Sequence, residues 1–342
     1  MTDERVGTNG RRPGMTDVAR LAGVSHQTVS RVLNDHTSVR PATRERVLAA
    51  IEQLGYRRNL SARALVTRRS GLIGIVASGS SRSGPAGTLG ALEQAARAAG
   101  YFVTVAIAPE PEPDLHGEIT DAFVEQGVEG VVAIAPTPGV AEIAQALGAQ
   151  VPVLVVSAWD PPDGVPTISV DQRAGARLAA EHLLGLGHTD VVHLSGPTDW
   201  FDATARIEGW HAALAEAGVT PRPDLAGDWS SERGYELGRS LLEDLPTAVF
   251  AGNDLAALGV LRAFAEAGVR VPQDVSVIGF DDLEGAANFY PPLTTVRQDL
   301  RALGAAALGA LVEVIAGGAA LPRRLPPQIV ERASTAAPRS AR

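Results

Sequence analysis

Val24-Ser25-His26-Gln27-Thr28-Val29-Ser30-Arg31-Val32-Leu33-Asn34 is the stretch that decides how this 342-residue chain is read. Ser25 suits a helix N-cap, because its hydroxyl can accept a hydrogen bond from a backbone N–H of the first turn that has no partner within the helix. Val29, Val32 and Leu33 then recur at helical spacing and mark an inward face. His26 with Ser30, and Gln27 with Arg31, stand four apart and form a polar stripe on the other side. Alone, the segment fits an ordinary solvated amphipathic helix as well as one that reads base edges in a major groove. The neighbours decide.

Upstream, residues 16–23 read as a helix of one to two turns, capped by Thr16, with Val18, Leu21 and Ala22 turned inward. Gly23 supplies the left-handed conformation that ends a helix and starts a tight turn. A third helix is expected over 41–55, with Pro41 at the first position, where a missing N–H costs nothing. Val47, Leu48, Ile51 and Leu54 keep the helical apolar spacing and Gly55 closes it. Helix, glycine turn, helix and a third supporting helix make a helix-turn-helix DNA-binding headpiece over 14–58.

Charge agrees with that division. The chain as a whole carries −9, yet residues 1–70 carry a net +7 and the remainder −16. A basic module on an acidic body concentrates phosphate attraction in one place. All the basic side chains are arginine, which we read as a genome-composition bias. Cysteine is absent, so disulfides, thiol catalysis and cysteine-based metal sites are excluded together. No secretory pattern and no apolar run of membrane-spanning length stand in the sequence, and a cytoplasmic protein without a membrane partner is expected.

Residues 1–13 are polar and aperiodic and read as a disordered tail; 59–70 read as a short helix and linker, with Asn59 placed to cap it. Eight residues are too few for a helix stable on its own in water, and a plain linker fits equally. From Gly71 the pattern changes. Strand-like runs at 72–77, 101–107, 130–135, 153–157, 190–195, 248–251 and 275–280 alternate with Ala-rich helical segments. That alternation predicts an α/β body of parallel sheets covered on both faces. The body is expected over 71–336, with a tail at 337–342.

In open parallel sheets ligands bind beyond the carboxyl ends of the strands. The first polar residues there are Ser78, Ser157, Ser195, Asn253 and Asp281, with Arg206 beside them. An arginine, an asparagine and an aspartate offer the paired donors and acceptors that vicinal hydroxyls need, as on a sugar. The plainer alternative is that Asn253 caps its helix and Asp281 pairs with an arginine. Catalysis has no support: no nucleophile elbow, phosphate loop, metal-spaced histidine pair or dinucleotide fingerprint occurs, and neither a cofactor nor a metal is expected. His188, after Leu186-Gly187, reads as a capping residue. A solute-binding protein of a transporter would need a signal peptide and no headpiece.

From Met15-Thr16-Asp17-Val18-Ala19 through Leu54-Gly55-Tyr56 and Asn59, then Gly227-Asp228-Trp229-Ser230, Ala251-Gly252-Asn253-Asp254, Ile278-Gly279-Phe280-Asp281-Asp282 and Pro291 to Asp299, the chain resembles the LacI/GalR family of bacterial repressors. The resemblance implies a body like that of periplasmic binding proteins, two lobes with a ligand cleft between them, one lobe from about 71–170 and 297–327 and the other from about 171–296 and 328–336. It also implies a repressor of carbohydrate-utilisation genes that binds a pseudo-palindromic operator as a homodimer and releases it on binding a sugar or glycoside. For double-stranded DNA it implies contacts from Thr16, Ser25, His26, Gln27, Thr28, Ser30, Arg31 and Asn34, with His26, Gln27 and Arg31 at the main base-reading positions. It further implies that 59–66 is a hinge helix folding on the operator, with Asn59, Ala62 and Leu65 at the minor groove and Leu65 wedged between base pairs. For the effector it implies Ser78, Ser157, Trp200, Arg206, Trp229, Asn253, Asp281 and Gln298. Ser157 departs from an aspartate found in a family member, and Trp200 adds a ring where that member has a small residue. A purine-type corepressor is the alternative effector; it would want an aromatic sandwich. The family's tetramer-forming leucine repeat has no counterpart in 331–342, where Pro338 would break a helix, so a dimer is expected.

Overall fold

Three helices form where the apolar spacing places them: α1 (Met15–Ala22), α2 (His26–Leu33) and α3 (Pro41–Leu54). The computed structural model describes residues 13–33, 36, 38–56, 69–79, 83–108, 113–160 and 165–339. Asn34, the hinge positions Asn59, Ala62 and Leu65, and the tail 1–12 therefore lie outside the described residues. The chain divides into two compact units, Met1–Ser70 and Gly71–Arg342.

The first unit closes on Val18, Ala19, Ala22, Val29, Val32, Val47, Ala50 and Tyr56. Gly23 has φ 65°, and its N–H and that of Val24 return to carbonyls of α1, which makes the turn into α2. Two expectations are corrected here. Thr16 is not the cap: α1 begins one residue earlier, and Gly14 donates its N–H to Asp17 Oδ2 at 2.9 Å. Leu21 and Leu48 are 45% and 50% exposed. Each stands one residue, hence about 100° of helical rotation, away from an inward neighbour, Ala22 and Val47. The core is too thin to take both.

The second unit runs β1 (Leu72–Ser78), α4 (Ser83–Ala98), β2 (Phe102–Ala108), α5 (Pro113–Gln126), β3 (Gly130–Ile134), α6 (Pro138–Gly148), β4 (Val153–Val156) and β5 (Thr167–Val170). It continues α7 (Gln172–Gly185), β6 (Val191–Ser195), α8 (Phe201–Glu216), β7 (Leu225–Ala226), α9 (Ser231–Ser240), β8 (Ala248–Ala251), α10 (Asp254–Glu266), β9 (Ser276–Asp281) and β10 (Thr294–Arg297). It ends α11 (Leu300–Ile315), β11 (Arg323–Leu325) and β12 (Gln328–Val330). Two six-stranded sheets result, ordered β11-β5-β4-β3-β1-β2 and β12-β10-β9-β8-β6-β7. All pairings are parallel except β12 on β10.

Parallel strands must be joined by crossover helices, and these cover both faces of each sheet. Leu92, Leu303 and Leu311 pack on one face of the first sheet, Phe123, Ile143 and Leu147 on the other. Leu237, Val260 and Phe264 face one side of the second sheet, and Leu183, Trp210 and Leu214 the other. The chain passes between lobes after Val170, after Arg297 and between Leu325 and Gln328. The first and third passages are tied, Asp171 N–H donating to Leu325 O at 2.8 Å. No helix among the described residues is long and apolar enough to cross a membrane.

His188 is corrected too. Its backbone N–H closes α7 on Leu183 O, but its buried ring joins Thr247 Oγ1, Ser276 Oγ and Ala336 O at 3.0, 3.1 and 2.8 Å. With Ser334, which bonds Val277 and Thr294, it holds the C-terminal segment on the second sheet.

Helices α9 and α10 pack closely: a Cβ on Gly259 would lie 2.0 Å from Ser231 O. Gly309, exposed on α11, would place a Cβ in open space. Gly259→Ala is therefore expected to destabilise the second unit by about 1–3 kcal/mol or more through overpacking. Gly309→Ala should stabilise it by about 0.5–1 kcal/mol through helix propensity. Urea midpoints of the two variants moving in the same direction would contradict this packing.

Candidate functional site

On the first unit the candidate surface is the start of α2. Ser25 Oγ accepts the N–H of Thr28 at 3.2 Å and sits 2.9 Å from the Thr28 hydroxyl, so the expected cap forms and both side chains are engaged with each other. Val29 and Val32, 0% and 3% exposed, pin the helix to the core. His26, Gln27 and Arg31 stand exposed, with Ser30 half-buried between them. Arg44 of α3 donates to Val32 O and His36 O and clamps the far end of α2. Exposed donors and acceptors at the start of a rigidly held helix can enter a groove and meet base edges.

In the second unit a cavity of about 50 Å³ lies between the lobes. One lobe supplies Thr88, Pro136, Ser157 and Ser169, the other Gln172, Trp200 and Asp202, with Gln298 from the second passage. Among the expected effector residues Ser157, Trp200 and Gln298 line it; Ser78, Arg206, Trp229, Asn253 and Asp281 do not. The space suits a few water molecules, and a hexose enters only if the lobes part. Contacts across the gap hold it closed. Phe201 N–H donates to Pro136 O at 2.9 Å, and the Phe201 ring stacks on Trp159 at 6.0 Å. The Asp202 carboxylate accepts the N–H of Ala158, and burial raises its pKa against the pull of Arg206.

Arg206 falls in the second turn of α8. It is 4% exposed. Nε donates to Gln172 Oε1 at 2.9 Å, Nη1 donates to Gly252 O, and Nη2 lies 3.6 Å from Asp281 Oδ1. Its guanidinium lies 3.7 Å from the Phe280 ring centre and 5.3 Å from that of Trp229. Burial lowers its pKa, while Asp281, Asp202 and Asp254 favour the charge. Burial, then Asp281, pushes the Asp254 carboxyl up to about 7.

The neighbouring backbone is unusual. Trp229, Asp281 and Asp282 have φ of 66°, 114° and 55°, conformations costing about 1–3 kcal/mol each for residues other than glycine. Trp229 thereby lays its indole where a Cβ on Gly196 would be 2.0 Å away, and meets Trp200 edge-on at 4.9 Å. Trp229 Nε1 and Ser78 Oγ are buried without a hydrogen-bond partner. Asn253 does what the plainer alternative said: Oδ1 caps α10 on Ala256 N, and Nδ2 donates to Trp229 O at 3.1 Å. Among the described residues no cluster of three His, Cys, Asp or Glu could hold a metal ion.

Sequence reasoning missed Asp202 and Gln172. Asp202 stands one turn before Arg206, which was a usable signal; nothing local marks Gln172.

Residues 14–59 match the model of bacterial regulatory proteins of the lacI family, and 180–335 match a periplasmic binding protein-like domain. The lactose operon repressor of Escherichia coli K12 is 35% identical over 326 residues, covering 94% of this chain and 90% of that protein. An uncharacterised HTH-type transcriptional regulator in the aml 5′ region of Streptomyces limosus is 36% identical, covering 95% of each. The crystal structure of the lac repressor dimer bound to operator and the anti-inducer ONPF superposes with a TM-score of 0.85 at 34% identity, over 96% of this chain and 100% of that one. With a lacI headpiece, a binding-protein-like body and relatives matched along nearly its whole length, the chain belongs to the lacI family of bacterial regulatory proteins.

Proposed function

We propose that the protein is a homodimeric, DNA-binding transcriptional repressor of carbohydrate genes, acting in the cytoplasm and released from a pseudo-palindromic operator by a sugar or glycoside. The observation that carries the reading is the pairing, in one chain, of an exposed His26-Gln27-Arg31 edge with a cleft lined by Ser157, Asp202, Gln172 and Gln298, the two glutamines bonded to Arg206 and Asp281 behind them. Headpieces of two copies read the half-sites, and Asn59, Ala62 and Leu65 enter the central minor groove. A pyranose opens the cleft, exchanges hydroxyls for the bonds among Arg206, Gln298 and Asp281, and packs against Trp200 and Trp229. The buried donor of Trp229 and the Ser78 hydroxyl favour a ligand bearing several hydroxyls over a purine. Asn253 and Ser157 shape the pocket, Asn253 through the Trp229 loop.

Dimerisation is favoured by what the body leaves uncovered. Strand β2 is a sheet edge with Phe102, Val105 and Ile107 at 58%, 44% and 50% exposed, and Tyr290 on the other lobe is 95% exposed. An exposed apolar sheet edge on one lobe and an exposed aromatic ring on the other suit a second copy related by a two-fold axis.

Exchanging the two leading readers (His26→Gln with Gln27→His) is expected to change the half-site consensus and to weaken binding to the original site by about 1–3 kcal/mol for each base that is no longer read. Binding-site selection returning the same consensus would refute the assignment. For the pocket, fluorescence anisotropy on operator DNA checks Arg206→Ala and Asp281→Asn. Both should bind operator and ignore o-nitrophenyl β-D-galactoside, cellobiose, maltose and D-ribose, at least one of which weakens binding of the unaltered protein. Loss of folding in both, seen by circular dichroism, would instead assign them a structural role. Sedimentation at micromolar concentration is expected to give a dimer; a predominant tetramer or monomer would overturn that part.

A further inference from the structure

We infer that Gln172 is a positioning residue through which the effector cleft is coupled to the passages between the lobes, an inference that rests on the function proposed above. The geometry is a closed ring of four side chains. Arg206 Nε donates to Gln172 Oε1 at 2.9 Å, and Gln172 Nε2 donates to Gln298 Oε1 at 2.8 Å. Gln298 Nε2 donates to Asp281 Oδ1 at 2.7 Å, and that oxygen lies 3.6 Å from Arg206 Nη2. The polarity is dictated by the ends: a guanidinium only donates and an ionised carboxylate only accepts, so both amides have one possible orientation. Each bond thus depends on the next.

The two amides are not on ordinary pocket elements. Gln172 follows Asp171 directly after the first passage and opens α7; Gln298 follows β10 and precedes Asp299, which caps α11 after the second passage. Asp171 also holds the third passage through Leu325 O. A diol that takes over the Nε donor of Arg206 or the Oδ1 acceptor of Asp281 therefore displaces an amide anchored on a segment that joins the lobes. Gln172 is 4% exposed and lines the cleft, so a displaced amide has to rebuild both of its hydrogen bonds inside the cleft, and the start of α7 that carries it re-seats as it does. Arg206 and Asp281 hold the sugar; Gln172 makes the lobe angle respond to it.

The test is the ratio of operator dissociation constants with and without sugar, measured by anisotropy at ten times the sugar's own dissociation constant for each variant. The probes are o-nitrophenyl β-D-galactoside, cellobiose, maltose and D-ribose. In the unaltered protein at least one should weaken operator binding by a factor in the range of roughly 5–150. Gln172→Leu should leave sugar-free operator affinity within about twofold and reduce that ratio at least fivefold, because the relay is broken while the headpiece is untouched. Gln172→Glu keeps the shape and the bond from Arg206 but cannot donate to Gln298, and should show the same loss should the leucine variant fold poorly. Gln172→Leu with Gln298→Leu should lose no more than either alone, as for two members of one ring. A folded Gln172→Glu with the unaltered ratio, or losses that add, would overturn the inference and leave the proposed function standing. If none of the four sugars changes operator binding by the unaltered protein, the proposed function fails and this inference with it.

Discussion

A guanidinium 4% exposed, set against the Phe280 ring and a group of carboxylates, is the constraint on which the larger unit depends. An isolated buried charge is costly, so Arg206 has to be surrounded by acceptors that the fold supplies from separate places. Asp281 comes from the end of β9, Gly252 from the turn into α10, Gln172 from the start of α7. The second sheet brings the first two together at its carboxyl edge, and the lobe passage brings the third. The left-handed backbone at Trp229, Asp281 and Asp282 is the local cost of aiming side chains at that point.

The headpiece was the most legible part of the sequence. Val29, Val32 and Val47 are in place because one thin apolar stripe per helix is all that a three-helix core needs, and the Ser25 cap follows from local hydrogen bonding alone. The same reasoning erred at Leu21 and Leu48, since periodicity marks an apolar arc without saying which of two adjacent residues the core has room for. In the body the apolar strands were readable as continuous runs. The three-residue strands β11 and β12 were not, because they depend on edge pairing with β5 and β10 and carry no run of their own.

At the site, Arg206, Asp281 and Gln298 could be picked out by residue type and motif, and the geometry joins them. Asn253 and His188 illustrate the opposite case. Asn253 caps a helix and steadies the Trp229 loop, and His188 spends its ring on the C-terminal segment. Gln172 had no periodic or motif signal, because its partners Arg206 and Gln298 are distant in sequence and meet it only in the fold; Asp202 stood one turn before Arg206, but its burial against Ala158 of the other lobe exists only once both lobes have folded. Charge segregation was readable from composition: +7 over residues 1–70 against −16 beyond them suits a module that meets phosphates and a body that avoids them.

The central claim is that the cleft and the headpiece are energetically coupled, and coupling between two binding sites is reciprocal. The most direct measurement is therefore a closed thermodynamic cycle on the unaltered protein. Sugar affinity is determined by calorimetry with and without saturating operator, alongside operator affinity with and without saturating sugar. Each ligand is expected to weaken the other by the same factor. A sugar that binds in the cleft with equal affinity whether or not operator is present would contradict the coupling.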